Sequence, residues 1–367
     1  MVLRGTTLAR YFGLRFLSTV LGVFAGVFAL IALIDYIELM RRTADLANVS
    51  ALVVARASIY RVPQVAERLM PFCVLVGGMS CFLNLSRRLE LVVARAAGMS
   101  AWQFTAPAVI VALVLGALAA TVYNPISAAL QERSKRIEAE LFGQDRRGGL
   151  QEAAGGGFWV RQKSAEGQAI INAVTSREQG AHLGGVTVFT FLPAGQFQER
   201  VEAKSAILEP GHWRLQDARI YAHGSPPAYR ASYLLNTNLT PAQVRESFAT
   251  PETVSFWQLP HYIDTAEHAG LAASGYRLQY HKLLSRPFML AAMVLLAAAF
   301  SLRFFRFGGV QIMVLGGVSS GFLLYVLSKI TEDLSKAELM HPVAAAWLPA
   351  LVGGVTGLVA LLYQEDG

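Results

Sequence analysis

The sequence predicts an α-helical membrane protein with six transmembrane helices, three before and three after an inserted all-β domain. Three observations carry this reading. Hydrophobic residues make up 54% of the chain and charged residues 16%, with a mean hydropathy of +0.41. That composition excludes disorder and argues against an ordinary soluble enzyme. Six long uncharged runs fall in two groups of three, and a polar stretch between them, 125–285, alternates like β-strands between turn residues.

A helix needs about 20 apolar residues to cross the hydrocarbon. Arg15 and Asp35 bracket 19 uncharged residues, Arg68 and Arg87 bracket 18, and Arg95 and Glu132 bracket 36, of which about 104–123 would be the span. After the polar stretch, Arg286 to Arg303 brackets 16, Arg306 to Lys329 brackets 22, and Glu338 to Glu365 brackets 26. The run of 16 is short, so the fourth span is expected to start earlier, at Leu283-Leu284-Ser285. The first run is longer than the apolar stretch of a signal peptide and five like it follow, so it reads as an uncleaved helix.

Six spans put both termini on one side and the insert on the other. The short segments of the two sides carry eight Lys and Arg each, a tie under the positive-inside rule. The termini side packs its eight into shorter segments, so cytoplasmic termini are expected.

Within the insert, strands are predicted at Phe158–Arg161, Ala169–Val174, Val186–Phe191, Val201–Leu208, Trp213–Tyr221 and Tyr229–Leu235. Gly167, Gly184-Gly185, Pro193-Ala194-Gly195, Glu209-Pro210-Gly211 and Ser225-Pro226-Pro227 supply the turns. A sandwich, a jelly roll and an open barrel all fit this spacing. Helices are expected at Ala128–Phe142, continuing out of the third span, and at about Phe256–Gly270. The domains are therefore 1–124, 125–282 and 283–367.

Charge and cysteines bound the function. Residues 125–285 hold 16 basic and 15 acidic groups, so the excess of the net +7 sits beside the apolar runs. Such placement suits a membrane surface; nucleic acid would need a basic face on the polar domain. Cys73 and Cys81 lie about 12 Å apart along one helix, too far for a disulfide, and read as buried packing thiols. No phosphate loop of the GxxxxGK[ST] type, GxSxG, HExxH or CxxC occurs, so this chain is not itself a P-loop ATPase. The seven histidines show no metal spacing, and His261 and His268 read as a solvated helix face.

Three features stand out. Leu85–Ser100 joins spans two and three and reads as a short amphipathic helix, about 86–99, ended by Gly98. It could lie on lipid, dock into a partner's groove, or merely turn the chain. Arg41-Arg42, past the far end of span one, suit phosphate through their guanidinium forks, or anchor the helix at lipid headgroups. Glu67-Arg68 at the edge of span two reads as a snorkelling or paired set.

With these residues in view, the chain resembles the lipopolysaccharide export permeases of Gram-negative bacteria, the LptF/LptG family, and the LptG type more than the LptF type. The resemblance covers nearly the whole chain. Its most specific piece is Leu89-Glu90-Leu91-Val92-Val93-Ala94-Arg95-Ala96-Ala97-Gly98 between spans two and three. Arg10-Tyr11, Arg286-Pro287, Gly321-Phe322 with Tyr325-Val326-Leu327, and Trp213-Arg214-Leu215 add to it.

The resemblance implies an inner-membrane half-transporter whose insert is a periplasmic β-jellyroll-like domain. It implies four partners: an LptF-like paralogue, an LptB-like ATPase dimer that binds the ATP and magnesium, an LptC-like single-span protein, and lipopolysaccharide. This chain itself would hold no cofactor. The coupling helix would meet the ATPase through Arg88, Glu90, Leu91, Arg95 and Gly98. Arg41 and Arg42 match basic residues that face the phosphorylated headgroup, but the basic position one turn inside is Asp35 here. Leu69 and Phe322 are expected to line the acyl-chain cavity.

The residues also fit two other kinds of protein. One is a membrane-anchored β-domain protein with a structural or sensory role and no transport. The other is a lipid-modifying enzyme, for which His341 with Lys336, Glu338 and Glu332 is the candidate cluster.

Overall fold

The computed structural model describes residues 2–44, 50–143, 158–164, 167–177, 182–192, 196–222, 226–237, 251–268, 273–305 and 310–365. The chain forms two compact units. One contains Met1–Leu141, Ser255–Trp257 and Arg277–Gly367; the other contains Phe142–Val254 and Gln258–Tyr276.

The first unit is helical. Its elements are α1 (Val2–Thr43), α2 (Ala51–Arg87), α3 (Glu90–Ala96), α4 (Ala101–Leu118) and α5 (Asn124–Gly143), then α7 (Ser274–Phe305), α8 (Val310–Lys336) and α9 (Pro342–Glu365). Six stretches are long and apolar enough to span a membrane: Thr7–Thr43, Ala51–Arg87, Ala101–Lys135, Ser274–Leu302, Val310–Lys336 and Pro342–Tyr363. These are the six expected spans, extended at their ends because charged residues outside the hydrocarbon still favour helix. The fourth starts at Ser274, before the Leu283 start expected from sequence.

Residues of α1, α2, α3, α4, α7, α8 and α9 share one buried core, among them Phe16, Leu75, Phe82, Phe104, Leu290 and Met293. The close crossing of α1 and α2 depends on Gly77, where a Cβ would lie 2.8 Å from the Val20 Cα. Small residues at such crossings let helix backbones approach without a hydrophobic driving force. Cys73 and Cys81 are buried and free, as packing thiols should be.

α4 passes into α5 through a single π-turn, Ala119–Tyr123, in which the Asn124 N–H reaches back to the Ala119 carbonyl. The extra residue turns Asn124 into the bundle. There its side-chain amide donates to Glu67 at 3.1 Å, and its Oδ1 accepts the Phe256 N–H at 3.0 Å. Glu67, buried on α2, also takes the Ser127 hydroxyl at 2.6 Å and an ion pair from Arg286 of α7. Glu67 thus has a pairing across helices that its place beside Arg68 in sequence does not announce. Consecutive helical side chains point in different directions, so neighbours in sequence do not face each other.

The second unit holds six strands: β1 (Phe158–Ser164), β2 (Gly167–Arg177), β3 (His182–Phe191), β4 (Phe197–Glu209), β5 (His212–Ala222) and β6 (Ala228–Asn236). They pair antiparallel in chain order as one meander, so all six expected strands are present and each is longer than its alternating run. A jelly roll adds crossovers to such hairpins; among the described strands the pairing is between sequence neighbours. The turns expected at 193–195 and at Ser225 lie outside the described residues. α6 (Leu259–His268) follows, within the expected helical stretch.

One face of the sheet is buried, with Ile171, Val186, Val188, Val201, Trp213 and Leu215 in its core. The inward alternation slips by one residue in three neighbouring strands, between Leu183 and Val186, Ala203 and Ala206, and Leu215 and Ala218. Gly185 (φ 62°) and Asp217 (φ 54°) sit at two of these slips, in the left-handed region. That backbone turn keeps both halves of each strand facing one core, which a regular period of two would not.

Removing the Glu67 carboxylate leaves the Arg286 guanidinium buried without its counter-charge. Glu67→Ala should destabilise the helical unit by about 3–5 kcal/mol, while Glu67→Gln, which keeps hydrogen-bonding oxygen and nitrogen, should cost less. Thermal unfolding of the purified protein in mild detergent checks the order.

Candidate functional site

The chain presents two candidate loci, one at each end of span one. The first is the corner between α2 and α4. α2 stops at Arg87, and Leu89 turns the chain at φ 62° with its N–H on the Ser86 carbonyl at 3.0 Å. A non-glycine residue there costs on the order of 1–2 kcal/mol, so the surrounding contacts must hold it. The Leu89 carbonyl then accepts the Val93 N–H at 2.9 Å and starts α3.

Gly98 (φ 85°) ends α3, and the Met99 N–H closes on the Ala94 carbonyl at 3.1 Å. Glycine suits this left-handed cap because it has no Cβ to clash. Ser100 then caps α4 reciprocally with Gln103. The expected helix of about 86–99 is therefore a seven-residue helix between two left-handed corners.

α3 has two faces. Leu91 and Ala94 are buried, and Leu91 joins Phe12, Phe16, Leu85, Ala101 and Phe104 in the core. Leu91, expected at the partner interface, is 4% exposed in its own chain. The exposed apolar pair is instead Leu89 and Val93, 58% and 66% exposed and stacked at i, i+4. Arg88 and Gly98 are exposed, Glu90 is half-buried, and the Arg95 side chain lies outside the described residues. Glu90 accepts a hydrogen bond from the Tyr11 hydroxyl of α1 at 3.0 Å.

The second locus is the far end of span one. Arg41 and Arg42 both pair with Glu38, at 2.9 and 2.8 Å, and remain largely exposed. Counted together, these three side chains are singly positive at the rim. Asp35 does not stand free one turn below. Arg61 of α2 donates to its Oδ1 through Nε at 2.8 Å, and to Glu138 of α5 through Nη1 at 3.0 Å. The departure from a basic residue at position 35 is thus taken up inside the bundle, by a charge-assisted contact that joins α1, α2 and α5.

Leu69 and Phe322 are not brought together. α2 and α8 run antiparallel, with Leu75 facing Gly321 and the Phe72 and Tyr325 rings 5.6 Å apart. Phe322 therefore lies level with Leu75, about two turns from Leu69. Phe322 is 57% exposed and Leu69 is half-buried.

The cluster proposed for an enzyme is differently arranged. Glu332 is engaged by Lys282 at 2.9 Å and Lys336 at 2.7 Å, and the His341 ring accepts the Val343 N–H at the start of α9. Among the described residues no group of three or more His, Cys, Asp and Glu could hold a metal.

The contacts missed from sequence, Tyr11–Glu90 and Asp35–Arg61–Glu138, join residues far apart in the chain. Leu89 and Val93 left one signal. If Leu91 and Ala94 form the buried i, i+3 pair of a short amphipathic helix, the opposite pair must face out.

Residues 10–363 match the family described as lipopolysaccharide export system permease LptF/LptG. The lipopolysaccharide export system permease protein LptG of Escherichia coli K12 is 24% identical over 349 residues, 94% of each chain. The protein of the same description from Haemophilus influenzae is 23% identical over 359 residues, 94% of this chain and 95% of the other.

Replacing Arg61 by Met should leave two carboxylates, Asp35 and Glu138, without their shared cation. We expect a loss of about 3–5 kcal/mol in detergent unfolding, and a smaller loss for Arg61→Lys, which keeps the charge but not the fork.

Proposed function

The chain belongs to the lipopolysaccharide export system permease family LptF/LptG, and on that premise we propose that it is the LptG-type half of an ATP-driven exporter in the inner membrane. It pairs with an LptF-like permease, sits on an LptB-like ATPase dimer, and passes lipopolysaccharide to a periplasmic bridge through an LptC-like single-span protein. ATP and magnesium bind to the ATPase, since this chain carries no phosphate loop.

The observation that carries the reading is the face of α3. Leu89 and Val93 form an exposed apolar ridge on a rigidly cornered helix, with Arg88 and Glu90 beside it. Such a ridge, anchored from behind by Leu91, fits a groove in a partner and can pass force in both directions. An exposed apolar knob held by strained backbone has little use in a loop that only turns the chain.

At the other end, Arg41 and Arg42 offer exposed donor forks suited to a phosphorylated sugar, with Glu38 moderating the charge. The apolar surfaces of span one and span five, where Leu30, Leu33, Ile37 and Phe322 are exposed in this chain, complete a cavity with the paralogue for the acyl chains. Each CH₂ taken out of an apolar environment costs about 0.8 kcal/mol, so a many-chained lipid needs an external energy source. ATPase closure moves α3, the first and fifth spans approach, and the cavity loses its hold on the lipid.

Purification of the tagged complex in mild detergent tests the reading. The wild type should retain both a separate ATPase and bound lipopolysaccharide, and Glu90→Lys should lose the ATPase. A solitary chain without lipid would point to the structural module instead. Arg41→Gln with Arg42→Gln should keep the ATPase and reduce bound lipopolysaccharide several-fold, as expected when charge-assisted phosphate contacts are lost.

A further inference from the structure

Glu90 is held from the rear by a residue that the coupling scheme does not use. The Tyr11 hydroxyl donates to Glu90 Oε2 at 3.0 Å, across 79 positions of sequence. Tyr11 sits at the foot of α1, 43% exposed, with its ring 5.8 Å from Phe12. Phe12 and Phe16 are buried in the same cluster as Leu91, Leu85 and Phe104. The foot of span one and α3 are therefore joined twice, by an apolar contact beneath and by one charge-assisted hydrogen bond at the edge.

The other end of α1 carries Arg41 and Arg42. No proline interrupts the helix between Val2 and Thr43, whereas α2, α4, α7 and α9 each contain at least one. Tyr11 and Arg41 thus lie on one continuous rod, about 45 Å apart at 1.5 Å per residue. A displacement of α3 reaches α2 and α4 through covalent corners at Leu89 and Gly98, both in left-handed backbone. It reaches α1 only through space.

We propose that Tyr11 is a positioning residue of transport: its hydrogen bond to Glu90 fixes the carboxylate on α3 and passes the movement of α3 directly to span one. This rests on reading α3 as the helix that meets the ATPase. The apolar contact alone resists separation but permits sliding, because dispersion is not directional; the hydrogen bond supplies the direction. Glu90 then serves two partners, the ATPase in front and span one behind, and Tyr11 is the half that belongs to this chain.

The test uses the whole complex, this chain with its paralogue, the ATPase and the single-span protein, in vesicles containing lipopolysaccharide. Tyr11→Phe removes the hydroxyl and keeps the ring against Phe12. The readout is lipopolysaccharide released per ATP hydrolysed. We expect the complex to assemble and hydrolyse ATP as the wild type does, while the release per ATP falls about tenfold, the size of effect one hydrogen bond to a charged group can carry. An unchanged ratio would overturn the proposal, as would loss of the ATPase from the Tyr11→Phe complex, which would make Tyr11 a docking residue. Glu90→Lys, run in parallel, separates the two levels. If it keeps the ATPase, the reading of α3 itself fails; if it loses the ATPase while Tyr11→Phe releases normally, only the role of Tyr11 fails.

Discussion

The helical unit turns on a buried ion pair, Glu67 with Arg286, which joins the first three spans to the last three. Both side chains are largely withdrawn from solvent, at 5% and 13% exposure, and so must be satisfied within the protein. Glu67 meets this need with the guanidinium, the Asn124 amide and the Ser127 hydroxyl. Asn124 directly follows the π-turn after α4, and the same π-turn offers the Thr121 carbonyl to the Trp257 indole at 3.0 Å. The segment 255–257 is thereby held among the helices by Asn124, by Thr121, and by the Phe256 ring stacked on Tyr280. A pair of this kind adds little net stability over an apolar substitute, but it admits few alternative helix arrangements.

The same economy governs the rest of the unit. Two further polar pairings lie near the ends of the spans: Asp35 with Arg61 and Glu138 near one end, Tyr11 with Glu90 at the other. Between them the helices meet through small residues, with Gly77 against Val20 and Gly116 against Pro287 as close crossings. Large apolar side chains are left exposed on α1 and α8, where lipid or a second permease can cover them.

The spans and strands were legible because they rest on local rules. Charged residues bracket each span, and alternation with turn residues marks each strand, so only the ends moved. The family piece around Glu90 was legible too, and it located the corner. The side-chain pairings were not. Sequence offered Arg68 to Glu67 and left Asp35 without a partner, whereas the bundle supplies Arg286 and Arg61 from other helices. The burial of Leu91 is not legible locally either, because a short amphipathic segment can be rotated either way; its core neighbours Phe12 and Phe104 lie far off in sequence. The left-handed turn at Leu89 was illegible for another reason, since leucine seldom adopts that backbone and nothing local announces it.

In the proposed export cycle, lipid lies against the exposed face of span five and is displaced when the ATPase closes. A photo-crosslinking amino acid at Phe322, in the assembled complex in vesicles, tests it most directly. Lipopolysaccharide adducts are expected in the nucleotide-free state, and their loss when the ATPase is trapped closed with ATP and vanadate. No adduct in the nucleotide-free state, or adducts that persist unchanged after trapping, would contradict it.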